Sequence, residues 1–306
     1  MRRISQLGAV VLIVAASITS VVQAKAIAIF PNRSPAQQAM QAEVIVVGKV
    51  TEIEKELSLA TPFANSKDKI GYRIGVVQIA ESLQGAKGLT TIRVGWQPIP
   101  EGNPSGPGGG LRVRPLDRRP QLPPQVALIA GQEGCFFLTK HHDGDFYVML
   151  QWSMPLDKKA ADFGKSLESI KKIVKIYDDP KSGLTAKETA DRQFAAALLV
   201  QKYRIPVSFD AKGQPKQADI EADQSKLIMQ IVSEMEWNKF DQKDGVPISA
   251  NNIFGMLGIQ PGQHGFDPPK FQPNQADYAK VYGQYVMKWI KENGDKYRIQ
   301  RYVAAQ

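Results

Sequence analysis

Cysteine is nearly missing from this 306-residue chain: Cys135 stands alone, which excludes an internal disulfide and with it a small stapled scaffold. Histidine is scarce too, with His264 the only imidazole besides His141 and His142, too few for a structural zinc site of the usual four ligands. Beyond residue 24 no apolar run reaches the ~20 residues that a spanning helix requires. No GxGxxG, HExxH or CxxC occurs. Gly164-Lys165-Ser166 has the ending of a phosphate-binding loop, but Lys159 stands where that loop needs a glycine. Gly102 to Gly106 has the wrong spacing for a nucleophile elbow, and Pro104 precedes its serine. The paired carboxylates Glu52/Glu54, Asp178/Asp179 and Glu234/Glu236 lack the aromatic cluster that would line a sugar-cleaving cleft, and read as solvated or helix-end positions.

What remains is ordinary globular composition, 43% apolar and 23% charged, which rules out coiled-coil, collagen-like and wholly disordered chains. The N-terminus has a distinct layout. Arg2 and Arg3 open it, residues 7–22 are apolar apart from Ser and Thr, and Val22-Gln23-Ala24 offers small residues for cleavage. That is the pattern of a secretory signal peptide over residues 1–24, and the expected location is secreted or periplasmic. Lipid anchoring at the cleavage point is not expected, since it uses a cysteine there. Loss of Arg2 and Arg3 takes the formal charge from +9 to +7. A mild positive excess favours anionic surfaces such as a cell-envelope polymer, while the lack of Lys and Arg interleaved with aromatics argues against nucleic acid.

The texture changes near Pro155. Before it, alternating apolar runs at residues 42–54, 71–83, 90–96, 125–130, 134–140 and 146–152 predict five or six short strands, the spacing of a small sandwich or barrel. Asp143-Gly144 between the last two predicts a hairpin, which accounts for the His141-His142-Asp143-Gly144-Asp145 run without a metal. Cys135, inside a strand pattern, reads as a small buried residue. Residues 97–124 hold eight prolines and five glycines, too many chain breakers for a helix or central strand. A loop longer than ~15 residues is functional or disordered, and the arginines Arg112, Arg114, Arg118 and Arg119 make this one a candidate binding loop for an acidic partner.

After Pro155, apolar residues at three- and four-residue spacing predict helices over 156–177, a segment capped by a Thr185-Ala186-Lys187-Glu188 box, 219–237, a short helix capped by Ser249, and 275–292 capped by Asn274 and stopped at Gly294.

The runs Ala42 to Val50, Tyr72 to Val77, Glu81 to Gly85 and Gly134-Cys135-Phe136-Phe137-Leu138 resemble the strands of a netrin-like module, the family that includes tissue inhibitors of metalloproteinases. The resemblance implies a five-stranded OB-type barrel. Those inhibitors present an N-terminal cysteine to zinc and are held by several disulfides; this chain has only Cys135, so zinc-directed inhibition and the family's functional residues do not carry over. Asn252 to Gly258 and Tyr297 to Val303 are similar to segments of secreted proteins from planctomycete-type bacteria.

The expected architecture is therefore α+β: an N-terminal five- to six-stranded OB/netrin-like β-barrel over 36–154, carrying the 97–124 insert, followed by an α-helical domain over 155–306. The expected function is that of a secreted, non-enzymatic binding protein. Its partner is a protein or an anionic envelope polymer, it has neither cofactor nor stable membrane anchor, and it acts through barrel loops at Arg112, Arg114, Arg118, Arg119, His141 and His142. Two alternatives stay open: an exported hydrolase whose site is assembled from distant residues, and a metal-binding protein using His141 and His142 with His264.

Overall fold

Ser34, Pro35 and Gln37 start the described chain with a complete helix-initiation signal. In the computed structural model, which describes residues 33–64, 66–98, 127–150, 153–206, 216–270 and 277–303, Ser34 accepts from the Gln37 amide and the Gln37 side chain accepts from the Ser34 N–H. The proposed signal peptide and residues 99–124 of the arginine-bearing insert lie outside the described residues. The elements in chain order are α1 (Pro35–Gln41), β1 (Val44–Ile53), β2 (Ser58–Ala60), β3 (Ile70–Gln84), β4 (Thr91–Trp96), β5 (Glu133–Lys140), β6 (Tyr147–Met149), β7 (Leu156–Asp157), α2 (Phe163–Asp178), α3 (Pro180–Leu184) and α4 (Thr189–Tyr203). They continue with β8 (Lys216–Asp219), α5 (Ala222–Ser233), β9 (Asp241–Lys243), β10 (Val246–Ile248), α6 (Ala250–Leu257), α7 (Tyr278–Asn293) and β11 (Gln300–Val303).

Five strands close into a barrel. β1 pairs with β3, β3 with β4, β4 with β6, β6 with β5, and β5 returns to β1; only the β4–β6 pairing is parallel. Register shifts along β1 bend that long strand so that it serves both neighbours. Successive residues of a strand face opposite ways, and β5 shows the result. Phe136 and Leu138 join Val44, Val46, Val50, Val77, Ile92, Val94 and Trp96 in the barrel core. Cys135 and Phe137, with Ile45 of β1, point outward into the core of the helices. The β1–β5 wall is thus apolar on both faces. Cys135 is a buried free thiol, as its strand setting predicts.

α4 lies at the centre of the helical half. Residues Phe194 to Val200 are all buried, because α1, α2, α3, α5 and α6 surround them. α1 is tied to the β9–β10 hairpin: the Ser34 hydroxyl donates to the Asp244 carbonyl at 3.0 Å and the Gln37 amide to that of Gly245 at 3.2 Å. The described residues form one compact unit.

Several local expectations shift. The helix expected from 156 begins at Phe163, because Leu156 and Asp157 pair with Cys135 and Gly134 as a strand. Residues 127–130 form no strand. The Thr185 box does not cap α4; the Thr185 hydroxyl instead donates to the Lys181 carbonyl and closes α3, which Asp179 caps at its other end. Residues 216–219 pair with β11 ahead of α5, which ends at Ser233. Ser249 caps α6 as expected, accepting from the Asn252 amide. α7 starts after Asp277, and Gly294 caps it in a right-handed conformation; Asn274 lies outside the described residues.

Candidate functional site

The β5–β6 hairpin predicted from Asp143-Gly144 exists, but its connection is the six-residue loop 141–146 rather than a two-residue turn. Its geometry follows from His141. The imidazole is buried, and its Nδ1 accepts from the backbone N–H groups of Asp143 (3.2 Å) and Gly144 (2.9 Å), so the ring does the work of a turn carbonyl. The ring packs against Tyr72 at 5.0 Å, Phe146 at 4.6 Å and His142 at 4.4 Å between centroids. Burial pushes the His141 pKa down and the neighbouring His142 adds to this, while Asp143 pulls the other way.

Phe146 anchors the loop. With Tyr72, Ile74 and Ala60 it forms a small apolar cluster, and its ring occupies the space beside Gly95, where any Cβ would come within 2.6 Å of it. Arg93 next door binds Glu54 through two hydrogen bonds of 2.8 Å and also reaches the Asp145 carbonyl at 3.3 Å. That guanidinium holds the Glu54 carboxyl below its ordinary range.

A segment far away in sequence completes the surface. Thr61, just after β2, donates its backbone N–H (2.9 Å) and its hydroxyl (3.1 Å) to Asp143 Oδ2, and its Oγ1 lies 2.9 Å from His142 Nε2. One hydroxyl proton serves one acceptor. With Asp143 taking it, His142 Nε2 is the donor to Thr61, the reverse of a nucleophile–base pair, in which the hydroxyl donates to the imidazole. The two Thr61 bonds hold the Asp143 carboxyl below its ordinary range, helped by the charges of Lys69 and His142.

β2 is an edge strand: among the described residues it pairs with β3 alone. Ala60 is buried on its inner side, whereas Leu57, Leu59 and Phe63 are 47%, 66% and 51% exposed. Apolar side chains in such number beside an unpaired strand edge are unusual on a free surface.

No family model, curated protein or solved structure proved similar to this chain. The site is therefore read from its own chemistry. His141 and His142 are brought together as stacked rings, but His264 sits among the helices, edge-on to Tyr297 at 5.2 Å. Among the described residues no three His, Cys, Asp or Glu side chains converge as metal ligands. Arg112, Arg114, Arg118 and Arg119 lie outside the described residues, although the Gln97 amide at the root of their insert donates to the Tyr72 hydroxyl at 3.3 Å, beside the His141 ring. Thr61, Leu59 and Phe63 escaped sequence reasoning. The sequence signal for them is slight: Leu57, Leu59 and Phe63 stand within the otherwise mostly polar residues 54–69.

Proposed function

We propose that this is an exported, non-enzymatic binding protein whose recognition surface is the barrel face built by β2, the segment that follows it and the 141–146 loop. The apolar trio Leu57, Leu59 and Phe63 carries the reading. It stands on a segment held by Thr61–Asp143 and by the buried Ala60, so it is presented without an ordering penalty on binding. A free strand edge flanked by apolar side chains suits a protein partner that adds an extended segment. Export rests on the N-terminal pattern of residues 1–24. Five-strand closure with one parallel pair supports an OB-type barrel related to the netrin-like module, with the helices as a following domain; such barrels recognise ligands through loops and an exposed face. Gln97, the first residue of the arginine insert, donates to Tyr72 at the same end of the barrel.

The experiment is affinity capture from the exported fraction by the immobilised mature chain, repeated with a Leu59→Ser/Phe63→Ser variant and with Leu89→Ser, another exposed apolar position, as control. A specific protein retained by the wild type and the control but lost from the double variant is expected. Equal retention by all three would remove the barrel face from the reading. Turnover of a compound by the purified chain, abolished by replacing one acidic or imidazole side chain, would overturn the non-enzymatic assignment.

A further inference from the structure

A second surface, on the helices, has a different chemistry. Lys280, Gln284, Met287, Lys288 and Lys291 recur along α7 at spacings of three and four residues and so share one stripe. Together with Trp237 and Asn238, which follow α5, they line an open groove of about 520 Å³. Trp237 is seated edge-on against Phe254 and Tyr282 at 6.1 and 6.0 Å between centroids. Its pyrrole edge lies along the α7 backbone at Gly283, where a Cβ would fall 2.3 Å from Cδ1 and 2.7 Å from Nε1. Only glycine at 283 leaves room for the indole to lie against the helix at this point. The indole N–H has no acceptor among the described residues.

The groove is also unbalanced in charge. Its one carboxylate, Glu292, is engaged by Lys288 at 3.8 Å, and Lys280 and Lys291 make no ion pair among the described residues. An aromatic wall with a free N–H donor, two side-chain amides and uncompensated ammonium groups along a channel match a chain of sugar rings bearing carboxylates. Ring faces would pack on the indole, hydroxyls would exchange hydrogen bonds with Trp237, Asn238 and Gln284, and the carboxylates would meet the lysines. A membrane surface fits less well, since the apolar groups line a concavity instead of projecting from it. We propose that this groove binds an anionic polysaccharide. The site is separate from the barrel face and does not depend on the reading given to it.

The test measures binding of polygalacturonate to the full mature chain by calorimetry, alongside neutral dextran, poly-L-glutamate, phosphatidylglycerol vesicles and duplex DNA. Polygalacturonate is expected to bind more tightly than any of these and to weaken as salt is raised. Lys280→Ser/Lys291→Ser, two exposed changes that leave the fold intact, should lower its affinity roughly tenfold. Trp237→Phe should weaken polygalacturonate while leaving any residual poly-L-glutamate binding unchanged, a split that simple loss of charge would not produce. Leu59→Ser/Phe63→Ser should leave polygalacturonate binding as it is. Equal or tighter binding of poly-L-glutamate, vesicles or DNA, unchanged affinity in the double-lysine variant, or no binding of polygalacturonate would each overturn the proposal.

Discussion

A single imidazole sets the shape of the barrel's outer loop. His141 Nδ1 accepts two backbone N–H groups, and it can do so only while that nitrogen carries no proton. The folded chain therefore prefers neutral His141, in keeping with a pKa pushed below the ordinary 6.5 by burial and by His142. The sign follows from linkage: the stabilisation is present in full above about pH 6.5 and is lost as pH falls through the lowered folded value. His141→Gln keeps a polar side chain there but does not titrate. Urea unfolding should show the wild type more stable than His141→Gln near pH 7.5, with the difference shrinking by about pH 5. A difference independent of pH would show that the ring acts by packing against Tyr72 and Phe146 alone. Asp143 titrates in a lower window. Its carboxyl is held below its ordinary value by Thr61, so its contribution is present above that value and is lost only on further acidification.

Elements record how far local pattern reaches. Strands β1, β3, β4 and β5 were legible because their apolar residues alternate toward the barrel core, and on β1 and β5 also face the helices; the β5–β6 hairpin was legible from Asp143-Gly144. What stayed hidden depends on partners distant in sequence. Leu156–Asp157 sits in a helical pattern yet pairs with β5, and Lys216–Asp219 acquires a partner only at β11. Asp244-Gly245 makes the two-residue turn between β9 and β10 that Asp143-Gly144 does not make, but its flanks, Asp241-Gln242-Lys243 and Pro247, lack the apolar alternation that marks a strand. In the candidate site His141 and His142 could be picked out as a pair, whereas Thr61, 81 residues from His142, could not. The packing that fixes this loop can be dissected. Phe146 is 2% exposed, and Phe146→Ala should cost about 3 kcal/mol in chemical denaturation. Gly95→Ala drives a methyl into the same ring and should cost about 1–3 kcal/mol. In a Phe146→Ala background that methyl meets only Ile74 Cδ1, at 3.2 Å, so Gly95→Ala should cost much less, and a double-mutant cycle should show coupling of at least about 1 kcal/mol. Additive effects would mean that the loop is positioned by its hydrogen bonds and not by the ring.

At the scale of the whole molecule, the barrel and the helices share one wall. Ile45, Cys135 and Phe137 leave the barrel strands to join Phe194, Leu198 and the other residues of the helical core, so a barrel separated from its helices would expose an apolar face on β1 and β5. Cooperative unfolding of both halves follows, and the only cysteine sits at the seam to report it. The Cys135 thiol is fully buried and its pKa is pushed up to about 12 by burial, with Glu81 adding to the effect. Thiolate is the reactive form, so in the folded chain Cys135 should resist an aromatic disulfide reagent at neutral pH both for want of access and for want of ionisation. Labelling then requires the seam to open, and its rate under native conditions measures that opening. Ile45→Ala, which removes packing from the barrel side, and Leu198→Ala, which removes it from the helix side, should each accelerate labelling by the factor that their loss of global stability predicts, about tenfold for every 1.4 kcal/mol. If the halves opened independently, only the variant that loosens the Cys135 environment directly would speed the reaction.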